Sequence, residues 1–106
     1  MISYEMTRDI FNELLDRFGI EYTCRDHHNG YQWHFPAFPG GDIICCDGSY
    51  HADKGYVESY GFPWDDGDVS TMPPQEMILY LIGERTEHIS NYGFDDLIAS
   101  LCGLLE

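Results

Sequence analysis

IEYTCRDHHNGYQWHF, residues 20–35, is the stretch of sequence that decides the fold. Its two halves, residues 20–27 and residues 31–35, alternate between apolar and polar side chains, which is typical of half-buried β-strands. The dipeptide Asn29-Gly30 lies between them and is the strongest short-range signal for a type I′ turn. The stretch therefore predicts a β-hairpin.

A turn at these two residues also predicts which strand residues face each other. The expected pairs are His28 with Tyr31, Asp26 with Trp33, and Cys24 with Phe35. Successive side chains of a strand point to opposite faces, so one face carries Ile20, Tyr22, Cys24, Tyr31, Trp33 and Phe35. We expect this face to be buried against a helix, and we expect His34 to lie on the opposite face.

The segment before the hairpin predicts an α-helix over about Ser3 to Phe18. Ser3 is suited to cap the first turn, and Gly19 is suited to end the last one. The apolar residues fall on one side of the helical wheel, which predicts a core-facing stripe made of Met6, Ile10, Phe11, Leu14, Leu15 and Phe18.

The segments after the hairpin predict a third strand and two helices. A turn at residues 38–41 precedes a strand over Asp42 to Cys46. Residues 47–72 show no clear periodicity and are expected to form an irregular acidic segment, within which Val57 to Tyr60 is a candidate short helix. Residues 71–82 fit a helix, although their apolar run 77–82 also fits a buried strand, and residues 94–105 fit a C-terminal helix. The prediction is a single α+β domain over residues 1–106, with about three strands in an antiparallel meander.

Composition limits the functions open to the chain. Its 106 residues include 19 acidic and five basic side chains, for a formal net charge of −14, and 15% of them are aromatic. The aromatic content favours a folded core, and the scarcity of Lys and Arg argues against direct binding of nucleic acid or membrane. The first residues, MISYEMTRDIF, do not resemble a secretory signal, so we expect a cytoplasmic protein with reduced thiols.

Two groups of acidic residues are candidates for binding a basic partner. In the predicted N-terminal helix, the acids lie opposite the apolar stripe, at Glu5, Asp9, Glu13 and Asp16. In the irregular segment, the candidates are Asp65, Asp66 and Asp68, with Trp64 as an aromatic anchor beside them. Like charges four residues apart destabilise a helix slightly, which suggests a functional reason for the first group. The alternative is that the acids only keep the protein soluble.

These features predict a non-enzymatic acidic protein that binds a basic protein surface. In size, charge and acid-plus-aromatic surface, the chain is similar to small virus-encoded or plasmid-encoded inhibitors that occupy the nucleic-acid-binding cleft of a host defence or repair enzyme. That similarity is one of class and includes no shared motif. It implies a nucleic-acid mimic or inhibitor that associates rapidly with a basic cleft of a nucleic-acid-handling or defence protein.

The alternative hypothesis is a small metal-binding protein. Zinc ligands are available at Cys24, His27, His28, Cys45, Cys46 and His51, but only Cys24 and His27 have a spacing typical of zinc sites, and the hairpin places them on opposite faces. Oxygen ligands for a divalent cation are available at Asp53, Glu58 and residues 65–68, although the EF-hand pattern is missing. We therefore predict no metal, no cofactor and no catalytic residue: the acids around Cys45 and Cys46 disfavour a reactive thiolate near His51.

Overall fold

A five-stranded antiparallel sheet forms the centre of the computed structural model, which describes residues 2–85. The strand order is β1-β2-β3-β4-β5, so each strand pairs with its neighbour in sequence. The elements, in chain order, are α1 (Tyr4–Arg17), β1 (Thr23–His27), β2 (Gly30–Phe35), β3 (Phe38–Cys45), β4 (Val57–Tyr60), β5 (Val69–Met72) and α2 (Pro74–Arg85). The α+β class is confirmed. The helix predicted over 94–105 lies outside the described residues.

The hairpin of β1 and β2 has the predicted faces but a different register. Its turn residues are His28 and Asn29, with φ angles of 44° and 64°, so the turn lies one residue earlier than predicted. Cys24 therefore pairs with Trp33, where the sequence paired Cys24 with Phe35. The pairing has shifted by two residues, and an even shift leaves every side chain on its original face. Trp33 is fully buried, Phe35 is 3% exposed, and His34 lies on the other face.

Close packing between strands explains why the glycine follows the turn and does not form its second position. A Cβ atom on Gly30 would overlap the carbonyl oxygen of Cys45 and lie 2.6 Å from the Cα of Cys46. Only a residue without a side chain allows β3 to approach at this point. The left-handed turn conformation is adopted by His28 and Asn29 instead, and Asn is among the residues that tolerate it.

Helix α1 begins and ends as predicted, but its buried face is rotated. Ser3 Oγ accepts a hydrogen bond from the Met6 backbone N–H at 3.1 Å, and Gly19 has a φ of 66°. The buried positions are Thr7, Phe11, Leu14 and Leu15. The prediction that Met6 and Ile10 lie in the core is wrong, since they are 52% and 42% exposed.

The contact between α1 and β2 accounts for this rotation. The rings of Phe11 and Trp33 meet edge to face with centroids 5.0 Å apart, and Trp33 Nε1 donates a 2.7 Å hydrogen bond to Asn12 Oδ1. Asn12 must therefore face the sheet. Ile10 precedes it by two residues and lies about 160° away around the helix, so its side chain points outward.

Residues 47–72 are not irregular, because they contain the strands β4 and β5 and two short 3₁₀ turns, Ala52–Lys54 and Pro63–Asp65. The short helix suggested at Val57 to Tyr60 is β4. Its alternation is hidden because Glu58 and Ser59 are buried beside Val57. Both polar side chains have hydrogen-bond partners: Glu58 Oε1 accepts from the Tyr50 backbone N–H at 3.1 Å, and Ser59 Oγ donates to a carboxylate.

Strand β3 and helix α2 begin at different residues from those predicted. Strand β3 begins at Phe38, after a bulge between His34 and Phe35, so residues 38–41 belong to the strand and not to a turn. Helix α2 begins at Pro74, because β5 continues to Met72. The helical reading of residues 77–82 is confirmed, with Met77, Ile78, Leu81 and Ile82 buried. Within residues 2–85, neither helix has the length and apolar character needed to cross a bilayer.

The close approach at Gly30 is testable by adding a single methyl group. Gly30→Ala should lower the free energy of unfolding by about 1–3 kcal/mol, the usual cost of overpacking, since the backbone of Cys45 and Cys46 must move. Gly40→Ala is the matched control in a neighbouring strand, because a Cβ there meets nothing within 4 Å. Urea unfolding of both variants measures the difference, and equal midpoints would contradict the role assigned to Gly30.

Candidate functional site

The outward face of α1 carries the first group of predicted binding residues. Glu5, Asp9, Glu13 and Asp16 are all exposed, on the side opposite the buried stripe. Two of them have ion-pair partners within the helix. Asp9 Oδ1 lies 2.9 Å from Arg8 Nη2, and Glu13 Oε1 lies 3.1 Å from Arg17 Nη2. These pairs reduce the repulsion that the sequence suggested, but both carboxylates stay more than two-thirds exposed, and such exposed pairs are weak.

The second predicted group is only partly available at the surface. Asp66 and Asp68 are exposed, but Asp65 is 4% exposed. The Asp65 carboxylate accepts hydrogen bonds from Ser59 Oγ at 2.7 Å and from the Phe62 backbone N–H at 3.1 Å. We therefore correct the assignment of Asp65 from partner binding to an internal role, in which it holds the turn at Pro63–Asp65 against β4.

Trp64 packs with its neighbours more than the sequence suggested. Its ring stacks on Phe62 with centroids 4.5 Å apart, and its Nε1 donates a 3.0 Å hydrogen bond to Ser59 Oγ. The side chain is half-buried. Of the other aromatic residues in this region, Tyr50 and Tyr60 are 63% and 55% exposed, and Phe62 is in the core.

In the described part of the chain, the cysteines and histidines do not assemble into a ligand set. Cys24 lies on the core side of β1 and His27 on the other side, as the alternation requires. Within residues 2–85, no group of three or more His, Cys, Asp or Glu side chains is placed to hold a metal ion. Burial raises the pKa of the Cys45 thiol to about 11 and also raises the pKa of Cys46. Both thiols are therefore held protonated, which disfavours nucleophilic chemistry.

Asp47 is an exposed carboxylate that links three elements of the fold, which the sequence did not indicate. Its oxygens accept hydrogen bonds from Tyr4 Oη and Asn29 Nδ2, each at 2.7 Å. These donors, Asn29 foremost, lower the pKa of Asp47, and the bond to Asp47 raises the pKa of Tyr4 to about 12. The network joins the start of α1, the hairpin turn and the end of β3.

A groove at the carboxyl end of α1 is a feature that the sequence analysis missed. It has a volume of about 740 Å³, and its lining includes Asp16, Ile20, Glu21, Tyr22 and Pro36. Burial and a hydrogen bond to Asp16 raise the pKa of Tyr22 to about 12. The predicted hairpin already brought Pro36 close to Tyr22, but sequence alternation assigned Ile20 and Tyr22 to the buried sheet face, so a groove beside them was not expected.

Comparisons of the chain with protein-family models, curated proteins and solved structures found no match. Function is therefore inferred from the side chains alone.

The internal role of Asp65 predicts a large effect on stability. Asp65→Ala leaves the Phe62 N–H and the Ser59 hydroxyl without their buried acceptor, so we expect a loss of about 2 kcal/mol in the free energy of unfolding. Asp53→Ala removes the same charge from an exposed position and should stay within about 0.5 kcal/mol of the unmodified protein. Chemical denaturation measures both. Similar losses in the two variants would show that Asp65 is an ordinary surface acid.

Independence from metal is also testable. A structural zinc ion contributes about 10 kcal/mol or more of apparent folding free energy, so removing one from so small a domain usually unfolds it. We expect a chelator to leave the thermal midpoint unchanged, measured by circular dichroism beside elemental analysis of the untreated protein. Stoichiometric zinc together with unfolding in chelator would support the metal-binding alternative.

Proposed function

We propose that the protein is a non-enzymatic interaction protein that uses the outward face of α1 to bind a basic protein surface in the cytoplasm. The proposed target is the cleft in which a nucleic-acid-handling or defence protein holds nucleic acid, so that the chain acts as a mimic or inhibitor. The observation that carries the proposal is the face itself: four exposed carboxylates on a helix whose opposite side is anchored in the core.

Charge density supports a nucleic-acid-like surface. Duplex DNA carries one charge per ~1.7 Å of its axis, so fourteen charges correspond to about 24 Å of duplex. The chain carries a net charge of −14, and a compact domain of about 100 residues is roughly 33 Å across. The two linear densities are of the same order, and a field of this size increases the rate of association with a basic cleft.

Two exposed apolar side chains favour a binding role over a purely solubilising one. The side chains of Met6 and Ile10 are exposed on adjacent turns of α1, and both lie beside the acidic face. At a protein interface, apolar side chains such as Met bury well against a partner while the surrounding charges set its orientation.

Neutralising each acidic surface in turn tests the proposal. The first variant combines Glu5→Gln, Asp9→Asn, Glu13→Gln and Asp16→Asn, and the matched variant combines Asp53→Asn, Asp66→Asn, Asp68→Asn and Glu76→Gln. Both remove four exposed charges. A partner is first isolated from nuclease-treated lysate, and association and dissociation rates are then measured at low and physiological salt.

We expect the α1 variant to fold normally and to associate about tenfold or more slowly with the partner, with the difference shrinking as salt screens the charges. The matched variant should retain most of the association rate. A larger loss in the matched variant would move the site to the Asp66 and Asp68 region. Equal losses, or an affinity insensitive to salt, would reduce the acids to a solubility device.

A further inference from the structure

The groove at the carboxyl end of α1 continues the acidic face of the helix. Asp16, the last acid of the face, forms one wall, and Glu21 contributes a second exposed carboxylate. The rest of the lining is mostly apolar or aromatic: besides Gly19 and the exposed Thr23, it consists of the buried Ile20, the half-buried Tyr22 and the exposed ring of Pro36. A groove with an apolar floor and an acidic rim suits a side chain that has an aliphatic stem and a cationic head.

The electrostatics of the groove favour a cation. The carboxyl end of a helix carries a partial negative charge, which adds to the charges of Asp16 and Glu21. Arg17 is the nearest basic residue in sequence, but its guanidinium is bound to Glu13 at 3.1 Å. Arg8 and Arg25 are also engaged, with Asp9 and Gln32 respectively.

Elsewhere in the fold, the side chain of Arg8 is held by a tyrosine and a carboxylate, the same kinds of side chain that line the groove. The guanidinium of Arg8 lies 4.6 Å from the ring centroid of Tyr31, donates a 2.7 Å hydrogen bond to the Tyr31 hydroxyl and pairs with Asp9. In the groove, Tyr22 and Asp16 provide a tyrosine and a carboxylate in the same lining. A guanidinium fits such a pair better than an ammonium, because it is planar, stacks on aromatic rings and binds carboxylates through two N–H groups.

We propose that this groove binds an arginine side chain of the basic partner. The inference rests on the proposed function and adds to it the residue type that the partner must present. A second copy of the chain is a poor occupant, since two molecules of net charge −14 repel each other. The aliphatic stem packs on Ile20 and Pro36, the guanidinium meets the Tyr22 ring, and its N–H groups bind Asp16 and Glu21.

The test uses the full chain, labelled with ¹⁵N, and three synthetic peptides. Each peptide has eleven residues. Seven are serine or glycine, and the other four are all arginine in the first peptide, all lysine in the second and all the uncharged analogue citrulline in the third. At low salt, we expect the arginine peptide to shift the backbone amide signals of residues 19–23 and to bind about threefold to tenfold more tightly than the lysine peptide, the range expected for charge-assisted hydrogen bonds at a half-exposed site. The citrulline peptide should not bind.

Two matched variants separate the groove from the overall charge. Glu21→Gln should weaken binding of the arginine peptide by about threefold to tenfold, whereas Glu76→Gln, also exposed but outside the groove lining, should leave it unchanged. Equal effects of the two variants, or shifts confined to residues 5–13, would contradict the arginine site in the groove without contradicting the proposed function. Absence of binding by either cationic peptide would contradict both proposals. Shifts at residues 19–23 on diluting the protein alone would identify a second copy as the occupant and overturn the arginine site.

Discussion

The packing of Trp33 against α1 is the contact on which the rest of the arrangement depends. Trp33 is fully buried on β2, and it holds α1 through the ring of Phe11 and the side-chain oxygen of Asn12. Together with the packing of α1 against α2, these two contacts fix the rotation of the helix about its axis. That rotation turns the carboxylates outward, exposes Met6 beside them and places Asp16 at the groove. A partly buried hydrogen bond beside the core thus helps to determine which side chains the helix presents at the surface.

Sequence periodicity predicted on which face of the sheet a side chain lies better than it predicted which residues pair across strands. The burial of Trp33 and Phe35 follows from alternation alone and tolerates a register shift of two residues, whereas the pairing of Cys24 depends on which residues form the turn. In α1, the caps are local signals and were found, but an apolar arc as wide as the one from Met6 to Phe18 does not reveal which part of it is buried. The answer depended on a polar contact, at Asn12, with a residue that is distant in sequence.

Polar residues with internal roles explain most of what the sequence left out. Residues 47–72 appeared irregular because Glu58, Ser59 and Asp65 are buried there, and a polar residue is ordinarily expected to be exposed. Each has a specific hydrogen-bond partner, which removes the cost of burial. The same reasoning limits the candidate site. Glu58 and Asp65 contribute to the net charge of −14, but they are buried, so composition overstates the number of acids available to a partner.

The exposed surface of α1 and the groove beside it offer two kinds of interaction, which act over different distances. The carboxylates along α1 act over roughly a Debye length, about 8–10 Å at physiological salt, and they are suited to attract and orient a basic surface. The groove beside Asp16 acts only on contact, because its apolar floor and Tyr22 ring require a side chain that enters it. Charges of the first kind govern how fast a complex forms, and desolvated contacts of the second kind govern how slowly it dissociates. An acidic protein with the first alone would bind any basic surface, so selectivity for one partner has to come from contacts of the second kind.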